Sequence, residues 1–102
     1  MQPAKNYHDS LLKALKDPAE AAEYINAAIE ENDLDTFLLA LRDVAEAQGM
    51  SAISRRAKLN RVSVYKMLSH RGNPHLQSVM HLLQAAGLKL SVGVRPSPSS
   101  PS

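Results

Sequence analysis

The stretch GMSAISRRAKLNRVSVYKMLSHRGN, residues 49–73, contains two short helical patterns joined by a turn of three residues. Ser51 and Asn60 are residue types that cap helix N-termini, and each predicts that a helix begins close to it. Two helices joined by so short a turn form a helix-turn-helix unit. We therefore predict this unit over residues 51–68, with helices at about 51–57 and 61–68 and the turn at 58–60.

The second predicted helix has an apolar side and a basic side. Val64 and Leu68 are one turn apart and would face the core, which leaves the basic side in solvent. A helix fits the DNA major groove, where arginine and lysine donate to guanine and an apolar side chain touches the thymine methyl. Polar and basic groups around it would bind phosphates. We predict base contacts from Arg61, Val62, Ser63 and Lys66, and phosphate contacts from Asn60, Tyr65, Ser69, Arg55, Arg56, Lys58 and Arg71.

Structural roles compete with DNA contact at several of these positions. Asn60 is equally suited to act only as a helix cap, and Tyr65 is better suited to a partly buried place beside the turn. Val62 could simply be exposed. For Arg61 and Lys66 the alternative is a solvated helix surface, and we favour DNA contact.

Helical periodicity continues on both sides of the unit, so the predicted fold class is all-α, with five to six helices in one domain of residues 1–95. Asp17-Pro18 and Asp33 are typical helix starts, and Gly49 is a typical helix end. The predicted elements are N-terminal helices within residues 8–48, the first over His8 to Leu15, and a last helix over residues 74–86. The residues predicted to face the core are Ala21, Ile25, Ala28, Ile29, Leu34, Phe37, Leu38, Leu41, Val44, Ala45, Leu76, Val79, Met80 and Leu83.

One segment near the C-terminus has the pattern of a strand. Residues 88–94, LKLSVGV, alternate apolar with small or polar side chains, which predicts a short half-buried strand. No other segment has this pattern, and a lone strand leaves its backbone groups unpaired. We therefore expect it to pair with its own copy in a homodimer or with a partner protein; the alternative is an extended segment that packs only by its side chains. Residues 96–102 are only proline and serine and are predicted to be disordered.

Charge is distributed very unevenly along the chain. Residues 1–48 carry four basic and ten acidic side chains, a net charge of −6, whereas residues 49–102 carry eight basic side chains and no acid, a net charge of +8. A domain with one basic end can direct that end at a polyanion. The uneven charge therefore favours a nucleic-acid partner for the second half, although a solvated charge run is the alternative.

The residue types needed for catalysis or cofactor binding are sparse. The absence of cysteine excludes a disulfide framework and a thiolate zinc site. The four histidines lack metal-motif spacing, and no glycine-rich phosphate loop is present. We therefore predict no enzymatic activity and no cofactor. The polar N-terminus lacks a signal-peptide core and the apolar runs are too short to cross a bilayer, so we expect a cytoplasmic protein with no membrane partner.

Several runs closely resemble the addiction-module antidote family, HigA-like antitoxins with a Cro/lambda-repressor-like helix-turn-helix. The resemblance covers about residues 9 to 94. It departs from the usual family pattern at Ser54, where alanine is usual, at Lys58, where glycine is usual, and near Val62 and Arg56, where acids are usual. The runs are Tyr24–Ala28, Phe37–Ala45, Gly49–Ser51, Leu59–Ser69, Gly72–Pro74 and Ala86–Leu90.

The resemblance implies a repressor that binds an operator in its own promoter and neutralises a co-encoded toxin, a RelE/HigB-like endoribonuclease. The acidic first half is a plausible dock for a basic ribonuclease, although those acids could merely solvate two helices. We also predict a homodimer, because one recognition helix covers few bases. A stand-alone regulator without a toxin, and a protein-interaction module without DNA binding, remain alternatives.

Overall fold

The computed structural model describes the backbone of residues 3–96 and the side chains of residues 7–96. Within that range the fold is all-α, as predicted, and no residue lies in a strand. The six helices are α1 (Pro3–Ala14), α2 (Pro18–Glu30), α3 (Leu34–Gln48), α4 (Met50–Ala57), α5 (Arg61–Met67) and α6 (Leu76–Ala85).

The local start and stop signals explain most of these bounds. The Asp17 carboxylate accepts a hydrogen bond from the Ala19 N–H at 3.1 Å, and the Asp33 carboxylate accepts from the Thr36 N–H at 3.2 Å. These bonds satisfy backbone donors that a helix leaves free at its N-terminus. Gly49 ends α3 with a φ of 100°, a backbone conformation that residues other than glycine rarely adopt.

The starts of α1 and α6 differ from their predictions, and α4 begins at Met50, one residue before its predicted start. α1 begins at Pro3, before the predicted start at His8, because proline suits the first helical turn. α6 begins at Leu76 instead of residue 74, since His75 takes the extended cap conformation.

Helix α3 is the centre of the core. It packs against α1, α2 and α4, and the side chains of Leu38, Leu41 and Val44 are almost completely buried. Each such side chain stabilises the fold by about 1.5–3 kcal/mol relative to an exposed one. Helix α4 packs against both α5 and α6, so it connects the first half of the chain to the second.

One partly buried polar contact joins α2 to α3. The Tyr24 hydroxyl donates a hydrogen bond of 2.7 Å to the carboxylate of Asp43, which is buried. Burial, and then the adjacent carboxylate, raise the pKa of Tyr24. The carboxylate is therefore satisfied inside the protein, as a buried charge requires.

Four apolar residues that periodicity assigned to the core are exposed instead: Ile29, Leu34, Leu76 and Met80. Ile29 lies in the last turn of α2, and Leu34 and Leu76 are the first residues of α3 and α6. The amphipathic stripe of a helix is covered only where another element lies against it, and these three residues lie at helix ends that extend beyond that cover. Met80 lies within α6, beside the buried Val79, at the edge of the buried stripe.

The predicted strand at residues 88–94 is not formed. The Leu88 N–H donates to the Leu83 carbonyl at 2.8 Å, and among the described residues no backbone hydrogen bond involves residues 89–96. A strand needs a second strand to pair with, and no other described segment provides one. Val92 and Val94 are accordingly 97% and 98% exposed. The tail predicted to be disordered is residues 96–102, and all of it except Pro96 lies outside the described part of the chain.

Candidate nucleic-acid interface

The connection between α4 and α5 is the tight three-residue turn that the sequence predicts. The Leu59 N–H donates to the Ser54 carbonyl at 2.9 Å, and the Lys58 N–H donates to the Arg55 carbonyl at 3.1 Å. Lys58 adopts the left-handed conformation, with a φ of 60°, where the family resemblance suggested glycine. That conformation costs an ordinary residue about 1–2 kcal/mol.

Helix α5 is capped and oriented as predicted. The side-chain oxygen of Asn60 accepts from the N–H groups of Val62 at 2.8 Å and Ser63 at 3.3 Å. Val64 and Leu68 are buried, so the opposite face of the helix is directed away from the core. The Asn60 side chain is thus used as the helix cap, the alternative role noted for it.

The four predicted base-contacting residues, Arg61, Val62, Ser63 and Lys66, are all exposed. Among the described residues their side chains form one intramolecular hydrogen bond, from the Arg61 guanidinium to the Ser51 hydroxyl at 2.8 Å. Ser51 was predicted to cap α4, but the helix starts one residue earlier and Gly49 occupies the cap position. The serine hydroxyl is therefore free to accept from Arg61.

A loop follows α5, and an acidic residue of α3 anchors it. The Asp35 carboxylate accepts from the Arg71 N–H at 3.0 Å and lies 3.2 Å from His70 Nδ1. Arg71 has a φ of 66°, in the left-handed region, and its side chain is exposed. A Cβ on Gly72 would overlap the Met67 carbonyl oxygen, so only glycine fits this path.

Besides Asn60, which caps α5, three of the predicted phosphate-contacting residues have partners within the chain. The Arg56 guanidinium donates to the Ala85 carbonyl at 3.0 Å, at the end of α6. Tyr65 is half-buried, and the Arg42 guanidinium lies 5.4 Å from its ring centroid, in the range of a cation–π contact. The Ser69 hydroxyl donates to the Lys66 carbonyl at 2.7 Å. Arg55, Lys58 and Arg71 are exposed and have no side-chain partner among the described residues.

Sequence reasoning missed Ser51 and Asp35 as members of this site. Asp35 lies in the first turn of α3, where the helix dipole favours an acidic residue, and its contact with residue 71 crosses 36 positions of the chain. No local pattern reports such a contact. Within the described range, no group of three histidine or acidic side chains is placed to hold a metal ion. No described helix is both long and apolar enough to cross a bilayer.

This arrangement defines a small all-α protein with an exposed basic helix, α5, braced by α4. The model of a family described as "probable addiction module antidote protein" matches residues 6–94. The chain therefore belongs to that family, and the resemblance found in the sequence is confirmed at this level. An antidote protein acts together with a toxin, so the family places this protein in a toxin–antitoxin module as its regulatory member.

A protein of Haemophilus influenzae, described as uncharacterized, is 39% identical over 69 residues, which cover 68% of this chain and 71% of the relative. No solved structure matches the chain.

Proposed function

We propose that this antidote protein is a DNA-binding antitoxin that represses its own operon and neutralises a RelE/HigB-like ribonuclease toxin. In this proposal, α4 and α5 act as a Cro/lambda-repressor-like helix-turn-helix. The observation that carries it is the exposed face of α5, where Lys66 has no side-chain partner among the described residues and the exposed Arg61 donates one hydrogen bond, to the Ser51 hydroxyl.

The charge of the second half supports a duplex as the ligand. Residues 49–102 contain eight lysine and arginine side chains and no acid. Each cation that neutralises a phosphate releases a counterion, which favours binding at low salt. Arg55 and Lys58 precede α5 in the sequence and Arg71 follows it, and these three would contact the phosphates of the DNA backbone. The side chains that would read base edges are those of Arg61, Val62, Ser63 and Lys66.

A homodimer is the assembly that we propose. Two recognition helices about 34 Å apart would read successive turns of the major groove. Residues 88–94 support the pairing of two copies, because their backbone groups have few partners within the described chain. Ser91→Pro removes one N–H donor from this segment, and light scattering should then report a monomer where the parent chain gives a dimer. An unchanged dimer would assign the interface to another surface.

Operator binding tests the proposed function. Fluorescence anisotropy with a duplex from the protein's own promoter should show that Arg61→Ala costs about 1–3 kcal/mol and relaxes base preference. Lys16→Ala removes the same charge from an exposed site in the acidic half and is the matched control, expected to have little effect. Equal effects of the two substitutions would contradict a base-reading role for Arg61.

Arg55→Ala separates phosphate contact from base reading. It should weaken binding to all duplexes alike and reduce the steepness of the salt dependence, because one phosphate contact is lost. A change in base preference would instead place Arg55 at a base edge.

A further inference from the structure

The Arg61 guanidinium is held by a side chain of the neighbouring helix. Its Nη1 group donates a hydrogen bond of 2.8 Å to the hydroxyl of Ser51. Arg61 is the first residue of α5 and Ser51 is the second residue of α4, so the bond joins the two helices of the unit. Both residues are exposed, and the oriented guanidinium therefore lies at the surface, where a ligand can contact it.

Structural roles of the Ser51 hydroxyl do not account for this contact. Gly49 occupies the N-cap position of α4, and no side-chain hydrogen bond caps that helix. An exposed hydrogen bond also contributes little to the stability of a fold, because water can replace either partner. The effect of the bond that remains is the orientation of Arg61.

The partner that orients Arg61 is neutral. Among the described residues no salt bridge involves Arg61, and residues 49–102 contain no acid. A carboxylate in place of the Ser51 hydroxyl would also orient the guanidinium, but its charge would offset that of Arg61 and repel phosphates. A hydroxyl orients the cation and leaves its charge available to DNA.

The bond also leaves the guanidinium able to bind a base. An arginine side chain has five N–H donors, and the contact with Ser51 uses one of them. The others still include a pair that can donate to guanine O6 and N7. Because a mobile arginine loses rotamer entropy when it binds, a guanidinium that is already oriented binds a base with a smaller loss of entropy.

Lys66 provides a contrast on the same helix. It is exposed in the last turn of α5, and its side chain has no intramolecular partner among the described residues. An ammonium group on a flexible stem is less suited to directional contact than an oriented planar guanidinium. We therefore expect Arg61 to discriminate between bases more strongly than Lys66.

We propose that Ser51 is a positioning residue, which orients the Arg61 guanidinium toward a base edge and so sets the preference at the base pair that Arg61 reads. This inference rests on the proposed function, since it assumes that α5 reads DNA. Ser51 acts through Arg61 and contacts no base itself.

The test is fluorescence anisotropy of the full chain with a duplex from its own promoter and with single base-pair variants of that duplex. The base pair at which Arg61→Ala relaxes preference is the pair that Arg61 reads. Ser51→Ala should reduce the preference at that pair about threefold to tenfold and leave the preference at other pairs unchanged. Ser51→Thr keeps the hydroxyl and should retain the preference. Ser10→Ala, at an exposed serine of α1, is the matched control and should have no effect.

A double-mutant cycle shows whether Ser51 acts through Arg61. In the Arg61→Ala background, Ser51→Ala should cause no further loss of preference, because the group that the hydroxyl orients is gone. Thermal unfolding should be the same for the parent chain and Ser51→Ala. An equal loss of affinity for every duplex would assign Ser51 a phosphate contact or a structural role, and tighter binding would show that Ser51 withholds Arg61 from DNA. Either result overturns the proposal.

The outcomes separate this inference from the proposed function. If the parent chain does not bind the promoter duplex, the DNA-binding proposal fails and the role of Ser51 fails with it. If the parent binds but Arg61→Ala keeps the base preference, Arg61 is not a base reader and Ser51 does not position one. If Arg61→Ala relaxes the preference and Ser51→Ala does not, only the positioning role fails.

Discussion

The two halves of this chain differ in net charge and in how closely their backbone conformations and polar groups follow local preferences. In residues 1–48, the cap residues Asp17 and Asp33 satisfy helix ends, and the buried Asp43 receives the Tyr24 hydroxyl. In residues 49–102, Lys58 and Arg71 adopt left-handed backbone conformations, whereas the left-handed non-glycine residue of the first half, Asn32, is of a type that tolerates this conformation. The buried hydroxyl of Ser54, also in this half, has no hydrogen-bond partner among the described residues.

The difference suggests a division of labour. Departures from local preference that persist in a folded protein concentrate where function constrains the chain. Here they lie around α5, the helix that we propose reads DNA, while α3 holds the centre of the core.

The largest expected effect tests whether the halves form one cooperative unit. Leu41→Ala removes a side chain of α3 that is 1% exposed and should lower the free energy of unfolding by about 2–5 kcal/mol. Because α3 packs against α4, signals from both halves should shift together in urea denaturation. Separate transitions for Tyr24 and Tyr65 reporters would show that the halves unfold independently.

The next effect concerns the loop after α5. Gly72→Ala would place a Cβ against the Met67 carbonyl oxygen and should cost about 1–3 kcal/mol of stability as the loop shifts. Promoter affinity should fall as well, since the loop carries Arg71. Gly93→Ala, where no atom lies within 4 Å of the added Cβ, is the matched control. Equal behaviour of the two variants would mean that the loop path is not constrained.

A loss of stability of similar size is expected in the acidic half, and its size should depend on pH. Tyr24→Phe leaves the Asp43 carboxylate buried without its donor and should cost about 1–3 kcal/mol at neutral pH. In the parent chain the pKa of Tyr24 is raised in the folded state above its ordinary value of 10.0. The unfolded chain therefore loses this proton first, and stability falls as the pH rises through about 10.

The Phe variant should lack that contribution to the alkaline loss of stability. Urea denaturation at pH 8 and pH 10.5, with Tyr7→Phe as the control at an exposed tyrosine, measures the difference. An identical pH profile for the parent and the Tyr24→Phe variant would contradict the burial of this hydroxyl.

The smallest effect should have the opposite sign. Ser54→Ala removes a buried hydroxyl that has no partner in the described structure and should stabilise the protein by about 1 kcal/mol. Thermal unfolding would measure the gain. A loss of stability would mean that the hydroxyl forms a bond that the single chain does not show.

Local patterns predicted most of the helices and the cap of α5. Val64 and Leu68 were correctly placed in the core from their spacing, and Asn60 was correctly identified as a cap. The hydrogen bond of the Arg56 guanidinium could not be predicted, because its acceptor, the Ala85 carbonyl, is 29 positions away in the sequence. For the same reason the anchoring of Arg71 by Asp35 was missed.

The errors in the predicted core have a different cause. Periodicity identifies which face of a helix is apolar but not how far along the helix a neighbour covers it, so Ile29, Leu34 and Leu76 were assigned to the interior. The strand at residues 88–94 was predicted from a correct alternation, but a strand also requires a partner that the described chain does not contain.

The contrast between the halves is tested most directly by nuclear magnetic resonance of the full chain, labelled with ¹⁵N and titrated with a duplex from its own promoter. The account predicts that amide signals change most at residues 61–66, with further changes at residues 51–58 and 69–73, while those of α2 stay in place. Changes concentrated in α2 and the first turn of α3, with α5 unaffected, would contradict it.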